Sequence, residues 1–327
     1  MPPADFKPTA SIEMLKRRSQ LTLAIHQFFS TRDFIHVETP LLSHDTVVDR
    51  YIHPVALPKS TLTGSEADQE TLWLQTSPEF CMKRLLASGA TAIYQIAKAF
   101  RQAESGGRHN PEFTMLEWYR VGDDMRAGME LLSDFASTVL HRPQSVMLSY
   151  GDAFEKYAGV DPFGGSLESF AKALQTGGVS IDEFTGETDR DFWLNLLLTH
   201  LVEPKLGFEA PVIIYDWPES QAALAIVRDG SPPVAERFEL YVDGVELGNG
   251  YHELLDADEL VRRNEQNNAL RVNDGSLPLP VESRLLDAMR AGMPGCSGVA
   301  VGVDRLLMVL ERLQNIEQVI AFPLDRA

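Results

Sequence analysis

The sequence predicts an α+β protein in which a mostly antiparallel sheet is flanked by helices. Residues 94–101 and 113–120 form two alternating runs on either side of a polar connection. This is the pattern of paired strands that each have one apolar face. Residues 238–247 give a second hairpin signal, because Asp243-Gly244 separates two further alternating runs. Amphipathic helical patterns occupy much of the remaining chain.

Composition and charge restrict the class of protein. The chain has 327 residues, 44% hydrophobic and 23% charged, as in an ordinary globular protein. No apolar run approaches the ~18 residues of a membrane span, and the N-terminus lacks the apolar core of a signal peptide. Cys81 and Cys296 are too few for a disulfide framework or a four-cysteine zinc site, so a cytoplasmic protein is predicted. The net charge of −18 argues against a broad nucleic-acid footprint and favours a partner that presents positive charge.

Periodicity and capping residues place the other elements. The predicted helices are amphipathic and lie at 12–29, 79–88, 127–140, 167–174, 191–201, 256–270 and 281–291. Additional strands are predicted at 34–39, 71–75 and 211–215. Residues 44–64 are predicted to form an irregular surface loop, and residues 150–208 a helical lobe inserted into the main domain.

The connection between the first two strands is the strongest candidate for a site. Residues 102–112 are far more than a two-residue hairpin turn requires, and they carry glycines, charges and hydrogen-bond donors. Arg101 and Phe113 stand at the root of this connection, where a guanidinium could hold phosphate and a ring could stack on a base. The residues alone leave a nucleotide-binding loop and an ordinary basic surface hairpin about equally open.

Two further sets of residues have more than one local interpretation. Ser77 and Glu79 lie at the start of a predicted helix, where they could be caps or ligand-binding groups. Glu246 projects from the polar face of the second hairpin. It could be solvated, or it could bind a divalent cation or an ammonium group.

The last candidate stretch is a strand of small residues that leads directly into a helix. Gly298, Ala300 and Gly302 share one face of residues 295–303, so a ligand could approach the backbone closely. Asp304 is predicted to cap the helix that follows. Arg305 lies in the first turn, where acids are usually preferred, and this position is explained if its side chain faces an anion.

Together these stretches resemble a known family. The helix–strand–proline unit at 12–42, the strand–loop–strand at 94–120 and the glycine-rich strand and helix at 295–313 are similar to the three signature motifs of class II aminoacyl-tRNA synthetases. The runs T-S-P-E at 76–79, F-R-Q-A-E at 100–104 and R-H-N-P-E-F-T-M-L-E-W-Y at 108–119 resemble lysyl-tRNA synthetase in particular. The resemblance implies a single class II synthetase-like catalytic domain over 1–327 that forms a homodimer and uses ATP and Mg²⁺.

Two departures from lysyl-tRNA synthetase narrow the resemblance. About ten residues precede the first motif, so neither the barrel that grips the anticodon nor a tRNA partner is expected. Ala300 stands where those synthetases have the middle glycine of G-x-G-x-G-x-D-R. Both features are similar to the elongation factor P (R)-β-lysine ligase family. This resemblance implies that the chain activates (R)-β-lysine as an adenylate and transfers it to a lysine ε-amine of elongation factor P, with Ala300 selecting the β-amino acid.

The resemblance also implies roles for individual residues. Arg101, Glu246 and Arg305 would be catalytic, with Arg101 on the α-phosphate, Glu246 on Mg²⁺ and Arg305 on adenine or the γ-phosphate. The residues implied to bind ATP are Arg101, Gln102, Ala103, Arg108, His109, Asn110, Phe113, Glu246, Leu247, Gly302 and Arg305. Those implied to bind the amino acid are Ser77, Pro78, Glu79, Tyr119, Asn249, Glu253 and Ala300.

Two alternatives stay open at this point. A truncated lysyl-tRNA synthetase-like enzyme could activate α-lysine for another acceptor, or the chain could be a non-catalytic regulatory paralogue. The acidic charge and the missing barrel count against tRNA as the acceptor. The presence of Arg101, Glu246 and Arg305 counts against a non-catalytic paralogue, which would be expected to lose phosphate-binding residues.

Overall fold

A computed structural model describes residues 6–184 and 186–327, which form two compact units. The first unit extends to Gly122 and also contains Leu254–Cys296 and Ala300–Ala327. The second unit contains Asp123–Glu253 and Ser297–Val299. Each unit has its own part of the sheet and its own buried side chains.

The described residues contain helices and strands in the mixed order expected of an α+β protein. The α-helices are α1 (Ile12–Ser30), α2 (Ser60–Thr63), α3 (Glu79–Ala87), α4 (Met125–Leu140), α5 (Tyr150–Ala158), α6 (Leu167–Thr176), α7 (Arg190–Leu197), α8 (Ala257–Asn273), α9 (Arg284–Gly292) and α10 (Val303–Leu310). The strands are β1 (Ile35–His36), β2 (Leu42–Ser43), β3 (Val55–Pro58), β4 (Thr71–Leu74), β5 (Ala92–Phe100), β6 (Glu112–Val121), β7 (Val146–Ser149), β8 (Val212–Pro218), β9 (Val227–Arg228), β10 (Val234–Val242), β11 (Val245–His252) and β12 (Cys296–Gly302).

Polar side chains set the starts of most of these helices. Ser11 Oγ accepts the Met14 N–H at 3.1 Å, which confirms the predicted cap of α1. The same kind of cap, in which a side-chain oxygen accepts a first-turn N–H, is formed by Asp124, Ser149, Ser166, Asp189, Asp256 and Ser283. The boundaries of the predicted helices agree with those of the observed helices to within a few residues. The helix predicted at 191–201 differs in helix type over its last residues. α7 ends at Leu197, and a π-helical turn follows over Leu198–Val202.

In the first unit the strands β1, β5, β6 and β12 lie side by side. β5 and β6 pair antiparallel from Ala92 opposite Arg120 to Phe100 opposite Glu112, so the predicted first hairpin is confirmed. β1 pairs with β5 in parallel and is shorter than the predicted 34–39 strand. Met82, Leu86, Ile93, Tyr119 and Cys296 form a buried cluster between α3 and this sheet.

A second, three-stranded sheet corrects the prediction that residues 44–64 are irregular. β4 pairs antiparallel with β2 on one side and with β3 on the other. Val55 and Leu57 alternate with exposed neighbours in β3, which is the half-buried pattern of a strand. α2 then follows within the same stretch. The polar residues around these four-residue elements concealed their apolar alternation.

In the second unit the strands follow the order β12, β11, β10, β8 and β7, with β9 beside β10. β10 and β11 form the predicted hairpin, and φ values of 51° at Asp243 and 70° at Gly244 place both turn residues in the left-handed region. The helices α5, α6 and α7 lie in the predicted 150–208 stretch. Tyr150 and Phe154 of α5 pack with Trp217 of β8 in one apolar core that also includes buried residues of α6 and α7.

The predicted α+β class is confirmed. In the larger sheet β5 with β6, and β10 with each of β8, β9 and β11, pair antiparallel. β1 with β5 and β7 with β8 pair in parallel. Within residues 6–184 and 186–327, no helix combines the length and the apolar character that a bilayer crossing requires.

Candidate active site

The first hairpin brings Arg101 and Phe113 together at the root of its connection. The Arg101 N–H donates to the Pro111 carbonyl at 2.9 Å, which extends the ladder one residue beyond β5. The Arg101 guanidinium carbon lies 5.1 Å from the centroid of the Phe113 ring. Its nitrogens contact the Thr76 carbonyl and the Glu104 carboxylate only at 3.4 Å, the long limit for hydrogen bonds. The guanidinium is therefore held in place while its stronger donor capacity is available to an anion.

Arg305 joins the same connection from the start of α10. Its Nη2 lies 2.5 Å from His109 Nε2, and its Nε donates to the Arg108 carbonyl at 3.4 Å. Because arginine can only donate, His109 Nε2 is the acceptor in this contact. The predicted residues Arg108, His109 and Arg305 thus lie together within the first unit. Arginine side chains are residue types that can bind the phosphates of a nucleotide.

The remaining predicted residues of the connection have defined backbone contacts. The Gln102 N–H donates to the His53 carbonyl at 2.8 Å, and Ala103 has a left-handed φ of 59°. Asn110 is buried, its Nδ2 donates to the Glu112 carbonyl at 2.6 Å, and its Oδ1 accepts the Leu324 N–H at 3.2 Å. The predicted contact of Asn110 with adenine stays a prediction. Its side chain already fixes the base of the connection.

Gly302 and Ala300 occupy the more open face of β12. Both are half-buried, whereas the other β12 residues are buried. The atoms nearest to a Cβ built on Gly302 belong to the Arg305 side chain, at an ordinary contact distance of 3.9 Å, and the Gly302 φ of −74° is open to any residue. The fold itself therefore does not demand glycine at this position. The free space is consistent with the predicted close approach of a ligand.

Asp304 has a different role from the cap that the sequence predicts. α10 begins at Val303, Gly302 is its N-cap residue, and no side chain caps it. The Asp304 carboxylate accepts the Thr114 N–H at 2.7 Å and also bonds to the Arg18 guanidinium. Arg18 in turn donates to the Val319 carbonyl at 2.8 Å. One buried carboxylate thus links α1, β6 and α10. Sequence analysis named Asp304 only as a cap and did not predict this link or the part of Arg18 in it.

In the first unit, the residues predicted to bind the substrate amino acid surround a carboxylate to which sequence analysis gave no role. Ser77 Oγ and Tyr119 Oη each donate to Glu117, both at 2.6 Å. Glu79 opens α3, as predicted, and its N–H donates to Ser77 Oγ at 3.1 Å. Glu117 has 1% of its surface exposed, and Glu79 is also buried. We refer to Ser77, Glu79, Glu117 and Tyr119 as the acid pocket.

Burial changes the acid strength of Glu117. Loss of hydration, with a further contribution from the nearby Glu79 charge, raises its pKa to about 7. The hydrogen bonds from Ser77 and Tyr119 and the charge of Lys83 act in the opposite direction. Glu117 therefore changes its charge near neutral pH, and an ammonium group bound beside it would favour the carboxylate form. The only sequence signal for this residue is an acidic side chain on an otherwise apolar strand face.

Glu117→Gln is expected to change the pH dependence of stability. A folded-state pKa above the unfolded value means that the native protein holds the proton more tightly. The contribution of the Glu117 carboxyl group to the free energy of unfolding is therefore complete below its unfolded-state pKa and is lost as pH rises through about 7. Relative to wild type, the variant should gain roughly 3 kcal/mol of unfolding free energy between about pH 4 and about pH 8. Urea denaturation at several pH values measures this difference.

A matched control for this measurement is Glu112→Gln on the same strand. Glu112 is half-exposed and forms a surface ion pair with Lys98 at 3.2 Å. Such pairs contribute little to stability, so the control difference should stay within about 1 kcal/mol across the same pH range. A flat difference between the Glu117→Gln variant and wild type would contradict the assigned pKa.

A β-bulge determines which face Glu246 and Asn249 share in the second unit. Tyr241 pairs with Glu246, but Leu240 pairs with Gly248, so Leu247 is the extra residue. Asn249 consequently pairs with Glu239 and lies on the same face as Glu246, although the two positions are three apart in the sequence. Without the bulge, alternation would put these two predicted residues on opposite faces. The sequence contains no clear signal for this shift.

The face that carries Glu246 is polar and partly buried. Arg237 donates to Glu239 at 2.5 Å, and Tyr241 also donates to Glu239. Burial, opposed by the Arg237 charge and assisted by Glu246, raises the pKa of Glu239 to about 7. Asn249 Nδ2 donates to Tyr251 at 2.9 Å, while its buried Oδ1 has no hydrogen-bond partner among the described residues.

The oxygen atoms on this face suit a hard cation. A carboxylate at Glu246 and an amide oxygen at Asn249 are ligand types that Mg²⁺ accepts, and it needs few protein ligands when phosphate supplies others. Glu253 follows β11, is buried, and forms a bridge with Ala225. Glu246, Leu247 and Asn249 lie on β11 and Glu253 follows its last residue. Their individual roles stay predictions.

Comparison with known proteins shows the family to which the chain belongs. The family of class II tRNA synthetases (D, K and N) matches residues 4–326. The chain is 45% identical over 321 residues to the elongation factor P–(R)-β-lysine ligase of Vibrio vulnificus, with 98% of each chain covered. It is 46% identical to the protein of the same name from Vibrio parahaemolyticus, again with 98% of each covered. The Photobacterium profundum protein is 44% identical, with 98% of this chain and 99% of that protein covered.

The chain therefore belongs to the class II tRNA synthetase family (D, K and N), as the three motifs predicted. Within it, the chain falls in the family of the elongation factor P–(R)-β-lysine ligases. These relatives are named as ligases, and the class II synthetase family consists of enzymes that use ATP.

Proposed function

We propose that this protein is an ATP-dependent ligase that activates (R)-β-lysine and attaches it to a lysine side chain of elongation factor P. The amino-acid carboxylate attacks the α-phosphorus of ATP, which forms the aminoacyl-adenylate and expels pyrophosphate. A lysine ε-amine of the acceptor protein then attacks the activated carbonyl, loses a proton and expels AMP. The relatives of 44–46% identity support this assignment through their names.

The single observation that carries the proposal is the arrangement of β6. Phe113, Met115, Glu117 and Tyr119 share one face by strand alternation. Phe113 lies beside Arg101 at one end, and Glu117 with Tyr119 lies roughly 14–20 Å further along the strand. One strand face thus joins an anion- and ring-binding end to a pocket suited to an ammonium group, as a cationic aminoacyl-adenylate requires.

Arg101 supplies the principal electrostatic contribution in this proposal. Its guanidinium would hold the α-phosphate through charge-assisted hydrogen bonds while charge develops there. Phe113 would stack on adenine, and Arg305 with Arg108 and His109 would hold the distal phosphates or the other face of the base. The contacts of Arg305 with His109 and with the Arg108 carbonyl support these roles, because they bring the three residues together.

The acid pocket would recognise the amino groups of the substrate. A buried ammonium must be paired, and Glu79, Glu117, Ser77 and Tyr119 offer carboxylates and hydroxyl oxygens. Glu253 is proposed as a further partner of the distal ammonium. Glu246 is proposed to hold Mg²⁺, which would neutralise phosphate charge as the leaving group forms. We also propose a single catalytic domain, a homodimer, a cytoplasmic location and no tRNA partner, the location being supported by two free cysteines.

Amino-acid-dependent exchange of pyrophosphate into ATP, followed by transfer of label, tests this function. The purified protein is expected to support exchange with β-lysine and to transfer labelled β-lysine to elongation factor P. Replacement of the acceptor lysine should abolish transfer and leave exchange unchanged. Transfer to tRNA alone would favour a synthetase-like enzyme. Absence of exchange with both lysine and β-lysine would favour a non-catalytic paralogue.

Ala300→Gly is expected to shift the preference between the two amino acids. The half-buried methyl group lies on the same open face of β12 as Gly302. One carbon in a closely fitted pocket is worth roughly 1–3 kcal/mol of discrimination. The ratio of kcat/KM for α-lysine to that for β-lysine should therefore rise about tenfold or more. A ratio equal to that of wild type would remove Ala300 as the selecting residue.

A further inference from the structure

Lys83 is a buried charge to which the proposed reaction gives no task. It lies one turn after Glu79 on α3, and its Nζ is 2.6 Å from Glu79 Oε1. Only 1% of its side chain is exposed, and the ammonium lies 5.9 Å from the centroid of the Tyr119 ring. Lysine is rarely buried to this extent. Its position next to two acid-pocket residues therefore calls for an explanation.

Stability of α3 does not provide that explanation. Lysine and glutamate four residues apart can support a helix, but this pair is removed from water, and the loss of hydration offsets its attraction. The face of α3 that carries Lys83 also contains Met82 and Leu86, which pack in an apolar cluster. An apolar side chain at position 83 would serve such packing equally well. The charge itself must be the useful property.

Charge balance in the acid pocket gives the ammonium a role. Glu79 and Glu117 would carry two negative charges in a buried space, and Lys83 reduces the sum to one. Glu117 is faced by Glu79 and Lys83 from α3, by Ser77 from the turn before α3, and by Tyr119 from its own strand. The Lys83 charge lowers the pKa of Glu117 and the Glu79 charge raises it. Lys83 is thus a built-in counter-ion for one of the two carboxylates.

We propose that Lys83 is a positioning residue of the acid pocket. Its ammonium neutralises and orients Glu79, which leaves Glu117 as the carboxylate that pairs with the incoming ammonium of the substrate. This inference rests on the proposed function for the identity of the substrate, but not for the electrostatics of the unliganded pocket. The two parts can therefore be tested separately.

Titration of the unliganded protein tests the electrostatic part. Carbon-13-labelled glutamate reports carboxyl ionisation by NMR, and Glu117→Gln identifies the Glu117 signal by its loss. In Lys83→Met the Glu117 midpoint should move about one pH unit or more to higher pH, because one attractive charge is gone. In Lys83→Met/Glu79→Gln it should return towards the wild-type value. A midpoint that does not move in Lys83→Met, or that stays displaced in the double variant, would overturn the proposal.

A second comparison keeps the test decisive if Lys83→Met alone does not fold. Glu79→Gln retains Lys83 beside Glu117, and the double variant lacks both members of the pair, so neither carries an unpaired carboxylate at position 79. The Glu117 midpoint should be about one unit lower in Glu79→Gln than in the double variant. Equal midpoints would show that Lys83 does not act on Glu117.

Exchange kinetics test the part that depends on the substrate. Lys83→Met should raise KM for the amino acid about tenfold at neutral pH, with recovery at higher pH, while KM for ATP stays unchanged. Lys172→Met, which removes an exposed lysine of α6, is the matched control and should change neither constant. Equal rises in both KM values would indicate a merely structural role. A wild-type protein without exchange would reject the proposed function and leave the NMR result to decide on Lys83.

Discussion

Arg101→Ala is expected to lower the rate of amino-acid-dependent ATP–pyrophosphate exchange by about 10²–10³-fold. The Arg101 guanidinium lies against Phe113, and its hydrogen bonds to Thr76 and Glu104 are long, at 3.4 Å. Its N–H groups can therefore form shorter and stronger hydrogen bonds with a ligand. Donors aimed at developing charge act mainly on the transition state. The loss should therefore appear chiefly in kcat, with a smaller rise in KM for ATP. Steady-state exchange at saturating amino acid measures both constants.

Two companion variants separate charge from geometry. Arg101→Lys keeps a positive charge but lacks the planar fork, so its activity should lie between that of wild type and that of Arg101→Ala. Arg126→Ala removes a solvent-exposed arginine of α4 that pairs with Glu130 at 3.1 Å, and it should leave exchange unchanged. If Arg101→Ala retained activity within about threefold of wild type, the α-phosphate role would have to be assigned elsewhere.

The parts of the fold that sequence analysis predicted are those with local signals. The first hairpin follows from two alternating runs, and the Asp243-Gly244 turn follows from residues that tolerate left-handed backbone. The cap at Ser11 has an equally local cause. The contact between Arg101 and Phe113 at the root of the first connection could be predicted for the same reason, because a strand end followed by a long polar loop is visible in the sequence. Their role in a site stays a prediction.

The parts that were missed depend on contacts between distant segments. Asp304 has the residue type and position of a helix cap, but Thr114 and Arg18, 190 and 286 residues away, compete for its oxygens. The bulge at Leu247 depends on the pairing register with β10, which no residue in β11 specifies by itself. In the sequence Glu117 is only an acidic residue on an apolar strand face. Its role depends on α3, which brings Glu79 and Lys83 close to it. In each case tertiary structure, rather than local preference, decides the role.

Asp304 connects the three segments that carry the family motifs, so its loss should affect stability and activity together. Asp304→Asn keeps the shape of the side chain, but its amide must direct a donor towards either the Thr114 N–H or the Arg18 guanidinium. The carboxylate is only 4% exposed, and breaking a buried charged contact leaves its partners unsatisfied. The free energy of unfolding is expected to fall by about 3 kcal/mol. Urea denaturation at a fixed protein concentration measures this change.

The effect can be assigned to the link by a double-mutant cycle with Arg18→Met. Each single variant leaves one charge of the pair without its partner, whereas the double variant removes both, so the combined loss should be clearly smaller than the sum. Glu130→Gln, which breaks the exposed pair with Arg126, should cost no more than about 1 kcal/mol and serves as the control. Exchange activity should fall with stability in Asp304→Asn, because Thr114 adjoins Phe113 and Arg305 follows Asp304 in α10. Additive losses, or an unfolding free energy equal to that of wild type, would mean that the three segments are held together without this carboxylate.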